Sequence, residues 1–312
     1  MDDLKRYLVT EAVEDYEEGR MSRRQVMTTL GGLVGAVMAG QLVAGCRRGG
    51  ERAAAPAGGS DAPAASVDAT VAPTSKPLVA VDDPEVVAGA VEFPGEGATL
   101  RGYQARPAKA GPWSIVLVCH ENRGLTAHIE DVTRRVAKAG YLGLAVDLLS
   151  RDGGTAAHSY DAAPGLLGNA PPERNVADFL AGLTHARAQA GARGDRVGMV
   201  GFCFGGGMSW RVAAALPELR AAVPFYGMPI EVERVPAINA AVLAICAEKD
   251  DRINQALPAV EAAMTAAGKT FQKIVYPGTQ HAFHNDTRER YDAAAATAAW
   301  GETLAWFARY LA

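Results

Sequence analysis

The stretch Gly201-Phe202-Cys203-Phe204-Gly205-Gly206-Gly207 restricts the fold of this chain more than any other. It joins a strand-like run, Arg196-Val197-Gly198-Met199-Val200-Gly201, to a segment of helical character at 208–216. Small residues two before and two after a central side chain permit a sharp, strained turn from strand to helix, which lifts that side chain off the sheet edge. The helix then aims its first backbone N–H groups at the same point. A thiol held there is exposed and activated, so the Gly-x-Cys-x-Gly pattern makes Cys203 a candidate nucleophile. Any fold of this chain must deliver a strand, a tight crossing and a helix across 196–216.

Around this elbow, strand and helix patterns alternate. Strands are expected at 86–93 and 99–106 as a leading antiparallel pair, then near 114–119, 141–147, 196–201, 220–226, 241–247 and 271–276 as parallel members. Helices are expected over 128–139, 173–189, 256–267 and 288–311. So many βα units imply an α/β chain with a doubly wound, mostly parallel sheet flanked by helices and active loops at the strand C-terminal ends. The stretch 152–172, with Gly153-Gly154 and Pro171-Pro172, has no clear period and is expected to form a lid.

Two further segments supply partners for a nucleophile. The apolar run 241–247 empties into Glu248-Lys249-Asp250-Asp251, where Asp250 is placed to orient an imidazole. The alternating run 270–276 breaks at Pro277-Gly278 into Thr279-Gln280-His281-Ala282-Phe283-His284. His281, first after the turn, is the expected general base, and His284 is a supporting or substrate-contacting residue. The order nucleophile, acid, histidine is the one a nucleophile elbow requires. Upstream, 113–119 runs into His120-Glu121-Asn122-Arg123-Gly124. The backbone N–H groups of Asn122 and Phe204 are the expected pair of oxyanion donors.

With Gly-Phe-Cys-Phe-Gly-Gly-Gly, His-Glu-Asn-Arg-Gly-Leu and Tyr-Pro-Gly-Thr-Gln-His-Ala-Phe-His-Asn-Asp in this order, the chain resembles the dienelactone hydrolase (carboxymethylenebutenolidase) family of α/β-hydrolases from about Val86 to the C-terminus. The resemblance implies a Cys203–Asp250–His281 triad, a lactone or ester substrate and no cofactor. It also implies that Glu121 pairs with the resting thiol and so modulates the nucleophile. The family's substrate-gripping arginine shortly after the histidine is missing, with His284-Asn285 near its place, and Arg123 and Arg151 both stand as compensating cations. Attack by the thiolate would give a thioester acyl-enzyme that water resolves. Thiolate is itself a good leaving group, which favours lactones and activated esters over amides.

The N-terminal part reads differently. Ser22-Arg23-Arg24-Gln25-Val26-Met27 precedes an uncharged, Gly/Ala-rich stretch to Gly45, so 1–46 is expected to be a twin-arginine export signal. Val43-Ala44-Gly45-Cys46 resembles a lipobox, which makes Cys46 a lipidation candidate and the protein periplasmic or a membrane-anchored lipoprotein. Before the arginines, Leu4, Leu8, Val9, Ala12 and Val13 have helical spacing: either a short amphipathic helix stays with the signal or Met21 is the true start. The Ala/Gly/Pro/Ser-rich segment 47–77 cannot bury a core and is expected to be a disordered tether.

The remainder, 78–312, suits one catalytic domain. A net charge of −4, without a basic face, excludes nucleic acid as a partner. Beyond Cys46 the cysteines are Cys119, Cys203 and Cys246, two of them in expected buried strands, which argues against a disulfide framework. No Cys/His spacing suits a metal, and His281/His284 form an i, i+3 pair without an adjacent Glu. The expected assembly is a monomer or small homo-oligomer acting on a small molecule.

Overall fold

The computed structural model describes residue 1, residues 3–46 and residues 76–312, so most of the expected tether lies outside the described residues. Eight strands form one sheet: β1 (Val86–Gly95), β2 (Ala98–Pro107), β3 (Trp113–Cys119), β4 (Leu142–Asp147), β5 (Ala192–Phe202), β6 (Ala221–Phe225), β7 (Ala241–Lys249) and β8 (Phe271–Gln280). Their order is β1-β2-β4-β3-β5-β6-β7-β8. β1 and β2 are antiparallel, with Val86 opposite Pro107 and Gly95 opposite Ala98, and β2 is antiparallel to β4. From β4 to β8 every pairing is parallel.

Helices on both faces explain why the central strands are continuous apolar runs and not alternating ones. All seven residues of β3 are buried, as are all six of β4. Helix α4 (Ala127–Lys138) buries Ile129, Val132 and Val136, and α6 (Pro172–Arg187) buries Val176, Phe179, Leu183 and Ala186, each a stripe at helical spacing. Helix α7 (Phe204–Ala215) is buried on nearly every side. The last two helices are α8 (Asp251–Ala266) and α9 (Ala293–Tyr310), the latter seating Trp306 and Phe307 in the core.

Several elements differ from the sequence reading: β5 begins earlier, at Ala192, α8 begins earlier, at Asp251, and three further differences bear on the site. β8 continues through Pro277-Gly278 to Gln280. As the last strand of the sheet it has an unpaired outer side, where a missing N–H costs no ladder bond. α9 begins at Ala293, because the preceding residues form the loop that carries His281 and His284. Within the expected lid lies α5 (Ala163–Asn169), too short for its period to register.

The N-terminal region forms three helices, α1 (Asp3–Glu17), α2 (Arg23–Val34) and α3 (Ala36–Gly45). Ser22 caps α2 through a reciprocal pair with Gln25, leaving Arg23 and Arg24 exposed on the first turn. α1 buries Leu4, Tyr7, Leu8, Glu11 and Ala12, the i, i+3, i+4, i+7, i+8 stripe of an amphipathic helix. Glycines let it and α2 press onto α5: a Cβ on Gly168 would stand 2.4 Å from Leu33 Cδ2 and 3.0 Å from Leu8 Cδ1. The expected lid therefore serves as the seat for α1 and α2. Cys46 follows α3, half-buried, its thiol donating to Leu42 O at 3.1 Å. Among the described residues no helix is long and apolar enough to cross a membrane.

Candidate active site

β5 ends at Phe202 and α7 begins at Phe204, so Cys203 alone makes the crossing, at φ 58°, ψ −117°. A non-glycine residue there stores on the order of 1–3 kcal/mol of strain, tolerated because the surroundings over-determine it. Its N–H donates to Phe225 O at 3.1 Å and its carbonyl accepts from Gly207 N–H at 3.1 Å. The flanking glycines answer to space: a Cβ on Gly201 would stand 2.1 Å from Gly205 O, and one on Gly205 would stand 2.5 Å from the carbonyls of Cys119 and His120. The thiol is 3% exposed.

Asp250 leaves the end of β7 at the head of α8, and His281 follows β8, with Ala282 beside it at φ 66°. His281 Nδ1 and Asp250 Oδ2 are 2.6 Å apart. A ring nitrogen of His281, Cys203 Sγ and a carboxylate oxygen of Glu11 lie within 4.8 Å of one another. Burial opposes a charge on His281, but Asp250 and Cys203 outweigh it and hold the imidazole well above its ordinary range. Burial would likewise raise Asp250, yet the His281 ring and then Arg252 bring it below the usual carboxylate value. Cys203 is pushed up by burial and by the Glu11 carboxylate, against the opposing pull of His281.

The loop after β3 carries the oxyanion candidates. Burial disfavours a charge on His120 and brings it below the ordinary histidine range. Its Nε2 accepts from Leu148 N–H at 3.2 Å, which fixes the other nitrogen as donor to Glu121 O at 2.6 Å. This bridge pins the loop against β4. Asn122 lies on the same loop, and Phe204 is the first residue of α7, next to the thiol.

Several expected residues are elsewhere or differently engaged. Glu121 does not hold the thiol: its Oε2 accepts from Asn285 Nδ2 at 2.6 Å, because Asn285 on the histidine loop reaches across to it. The carboxylate against Sγ belongs to Glu11 of α1, whose Oε1 and Oε2 accept from the thiol at 3.6 and 3.8 Å. Arg151 is not at the pocket but paired with Asp178 at 2.7 Å and with Glu96 O. His284 is 1% exposed, stacked on Phe202 at 5.0 Å between centroids and edged by His128, so it supports the site from beneath and touches no substrate space. Burial holds it well below the ordinary histidine range. Arg123 does line the pocket, buried and with its guanidinium 4.3 Å over Tyr160.

Residues that sequence reasoning missed complete the setting. A cavity of about 470 Å³ reaches Cys203 and His281, with Glu11, Glu121, Arg123 and Arg288 among its walls. The Arg288 guanidinium also lies over this Tyr160 ring, 4.8 Å from its centroid. Tyr7 O–H lies 3.3 Å from Cys203 Sγ and 3.1 Å from His281 Nε2. Asn122 Nδ2 donates to Glu11 Oε2 at 2.9 Å. The only advance signal for Tyr7 and Glu11 was the apolar stripe of α1, which puts both on its buried face. Glu11, Cys203 and His281 are also the donor set, among the described residues, that stands close enough together to hold a metal ion. Spacing in sequence could not reveal it, since 192 positions separate Glu11 from Cys203.

Comparison with known proteins places the chain in a family. Residues 100–311 match the model of the dienelactone hydrolase family. A protein of Escherichia coli provisionally named carboxymethylenebutenolidase is 34% identical over 266 residues, spanning 80% of this chain and 94% of its own. A solved structure from Klebsiella pneumoniae, provisionally described as a dienelactone hydrolase, is 34% identical with a TM-score of 0.67, covering 72% of this chain and 99% of its own. The dienelactone hydrolase from Anabaena variabilis, 20% identical with a TM-score of 0.59, shares the fold over 73% of this chain and 100% of its own.

Proposed function

Because the chain belongs to the dienelactone hydrolase family and is a hydrolase of carboxylic esters and lactones, we propose that Cys203 is its nucleophile, His281 its general base and Asp250 the group that orients the ring. The observation carrying this reading is the 2.6 Å contact from Asp250 to His281 Nδ1, which leaves Nε2 for the side where Tyr7 O–H touches both it and the elbow thiol. Proton transfer from Sγ to Nε2 releases a thiolate that adds to the acyl carbon, and the alkoxide of the ester or lactone leaves with the proton returned by His281. The resulting thioester is hydrolysed by water deprotonated at the same Nε2. The N–H groups of Phe204 and Asn122 receive the developing oxyanion, an interaction whose loss costs roughly a hundred- to a thousandfold in rate.

Arg123 and Arg288, both against the Tyr160 ring and in the cavity wall, suit a substrate that carries a carboxylate beside its lactone or ester. Glu121 positions the histidine loop through Asn285. Export by the twin-arginine route and lipidation at Cys46 belong to the same proposal, the cleavage before Cys46 releasing α1 from the exported protein. The exposed arginine pair supports them, and retention of an Arg23→Lys, Arg24→Lys chain in the cytoplasm is the expected outcome on cell fractionation.

A second reading, a binding protein on a hydrolase fold, is favoured by the covering of the thiol by Tyr7 and Glu11. Prolonged incubation with an activated ester, then peptide mass mapping, separates the two. An acyl adduct confined to Cys203 is expected, and its absence from every variant of the full chain with an accessible thiol would count against the nucleophile.

A further inference from the structure

The position in which an acyl carbon is attacked lies about 3–3.5 Å from the nucleophile. Around Cys203 Sγ one helix places polar atoms at that distance and just beyond it. Tyr7 O–H stands at 3.3 Å, and the two oxygens of Glu11 stand at 3.6 and 3.8 Å. The same carboxylate lies 3.6 Å from His281 Nε2 and accepts from Asn122 Nδ2 at 2.9 Å. It thus meets the nucleophile, the base and the oxyanion loop together, the three groups that a carboxylate product would meet on leaving the site. Tyr7 adds a second obstacle, since its hydroxyl is bonded to both ends of the proton path from Sγ to Nε2.

We propose that α1 is an intramolecular ligand of the hydrolase site, with Glu11 seated as a product-like carboxylate and Tyr7 interposed in the proton path, so that the enzyme is latent while α1 is docked. This rests on the function proposed above. The docking surface is built to hold the helix in one register. Leu4 and Leu8 are 2% and 1% exposed, the latter set against Gly168. Arg252 pairs with Glu14 at 3.0 Å and lies 4.9 Å over the Tyr7 ring, Arg290 pairs with Asp15, and Lys5 donates to Asn169 at 2.6 Å. The family match begins at residue 100, so the occupant lies outside the matched span while the site it occupies lies inside. Because α1 and the site are one chain, docking is a unimolecular equilibrium that substrate must displace, and weakening α1 raises the competent fraction directly.

Two full-length variants test this. Leu8→Asp puts a charge into the apolar seat and undocks α1, while Tyr7→Phe with Glu11→Ala removes the polar contacts and keeps the apolar stripe. Each is assayed for alkylation of Cys203 by iodoacetamide and for initial rate on p-nitrophenyl acetate. Both rates are expected to rise at least about tenfold in Leu8→Asp, and in the double variant as well. If Leu8→Asp aggregates, the double variant decides. Faster alkylation with a reduced ester rate would overturn the proposal and make α1 a working wall of the site. Unchanged alkylation in both variants would overturn it too, by showing that the helix does not guard the thiol. Faster alkylation with neither turnover nor an acyl adduct in any variant would instead defeat the nucleophile assignment and leave the docking intact.

Discussion

Two regions meet at Cys203, and different forces hold them. The body draws its side chains from the ends of β3, β5, β7 and β8, each fixed by the ladder of the strand behind it and by a core of fully buried residues such as Ile115, Val200, Phe202 and Phe307. The N-terminal layer of α1, α2 and α3 shares no strand with that sheet. It is held by a short apolar stripe, close glycine seats and several ion pairs, and partly exposed pairs of that kind are each worth about 0–1 kcal/mol. The contrast teaches that the chemistry belongs to the rigid region, and access to the chemistry belongs to the region that can leave.

The sharpest way to break this division is to remove the proposed nucleophile. Cys203→Ala is expected to lower hydrolysis of a lactone or short p-nitrophenyl ester by about a thousandfold or more, whether α1 is docked or released. Activity surviving near its original level would move the chemistry out of the body. Asp250→Asn should cost on the order of a hundred- to ten-thousandfold in kcat, with thiol alkylation still measurable, because the ring loses its tautomer partner and the elbow is untouched.

Stability separates the regions next. Phe307→Ala should lower global unfolding by about 3–5 kcal/mol. Leu30→Ala, equally buried but in α2, should loosen only the layer, and hydrogen exchange should show α1 and α2 losing protection while β3 and β5 keep theirs. Uniform loss in both variants would merge the two regions into one cooperative unit.

A smaller effect concerns pH. His281 is raised in the folded state, so its contribution to stability is fully present below pH 6.5 and falls away as pH rises through the raised value. Asp250 is lowered, so its contribution is present above pH 3.8 and is lost as pH falls through the depressed value. Both describe one ion pair, whose benefit is greatest between those limits. Thermal melting across pH should show His281→Gln abolishing the alkaline decline that the wild-type chain displays. Smallest of all, Arg288→Ala should raise KM roughly tenfold for an ester bearing a carboxylate and leave a neutral ester unaffected. Arg151→Ala, away from the cavity, should change neither.

Much of the body was legible because its signals are local. The elbow announces itself through glycines two positions either side of Cys203, and the apolar runs ending at Cys119 and Ala247 mark strands whose ends must face the same edge. Where the reading slipped, a partner had to be known. Pro277 looked like the end of a strand until the sheet order put β8 at the edge. Arg151 looked like a free loop cation until α6 brought Asp178 to it, and Glu121 looked aimed at the thiol until Asn285 captured it.

By itself the sequence determined the strand–turn–helix crossing at Cys203, the succession of βα units and the order thiol, carboxylate, imidazole, since periodicity and turn chemistry act over a few residues. Only the tertiary structure decided which carboxylate faces the sulfur and which cations line the cavity. Those pairings join positions as far apart as Glu11 and Cys203, and they exist because burying Leu4 and Leu8 carries the polar side chains of the same helix face into the site.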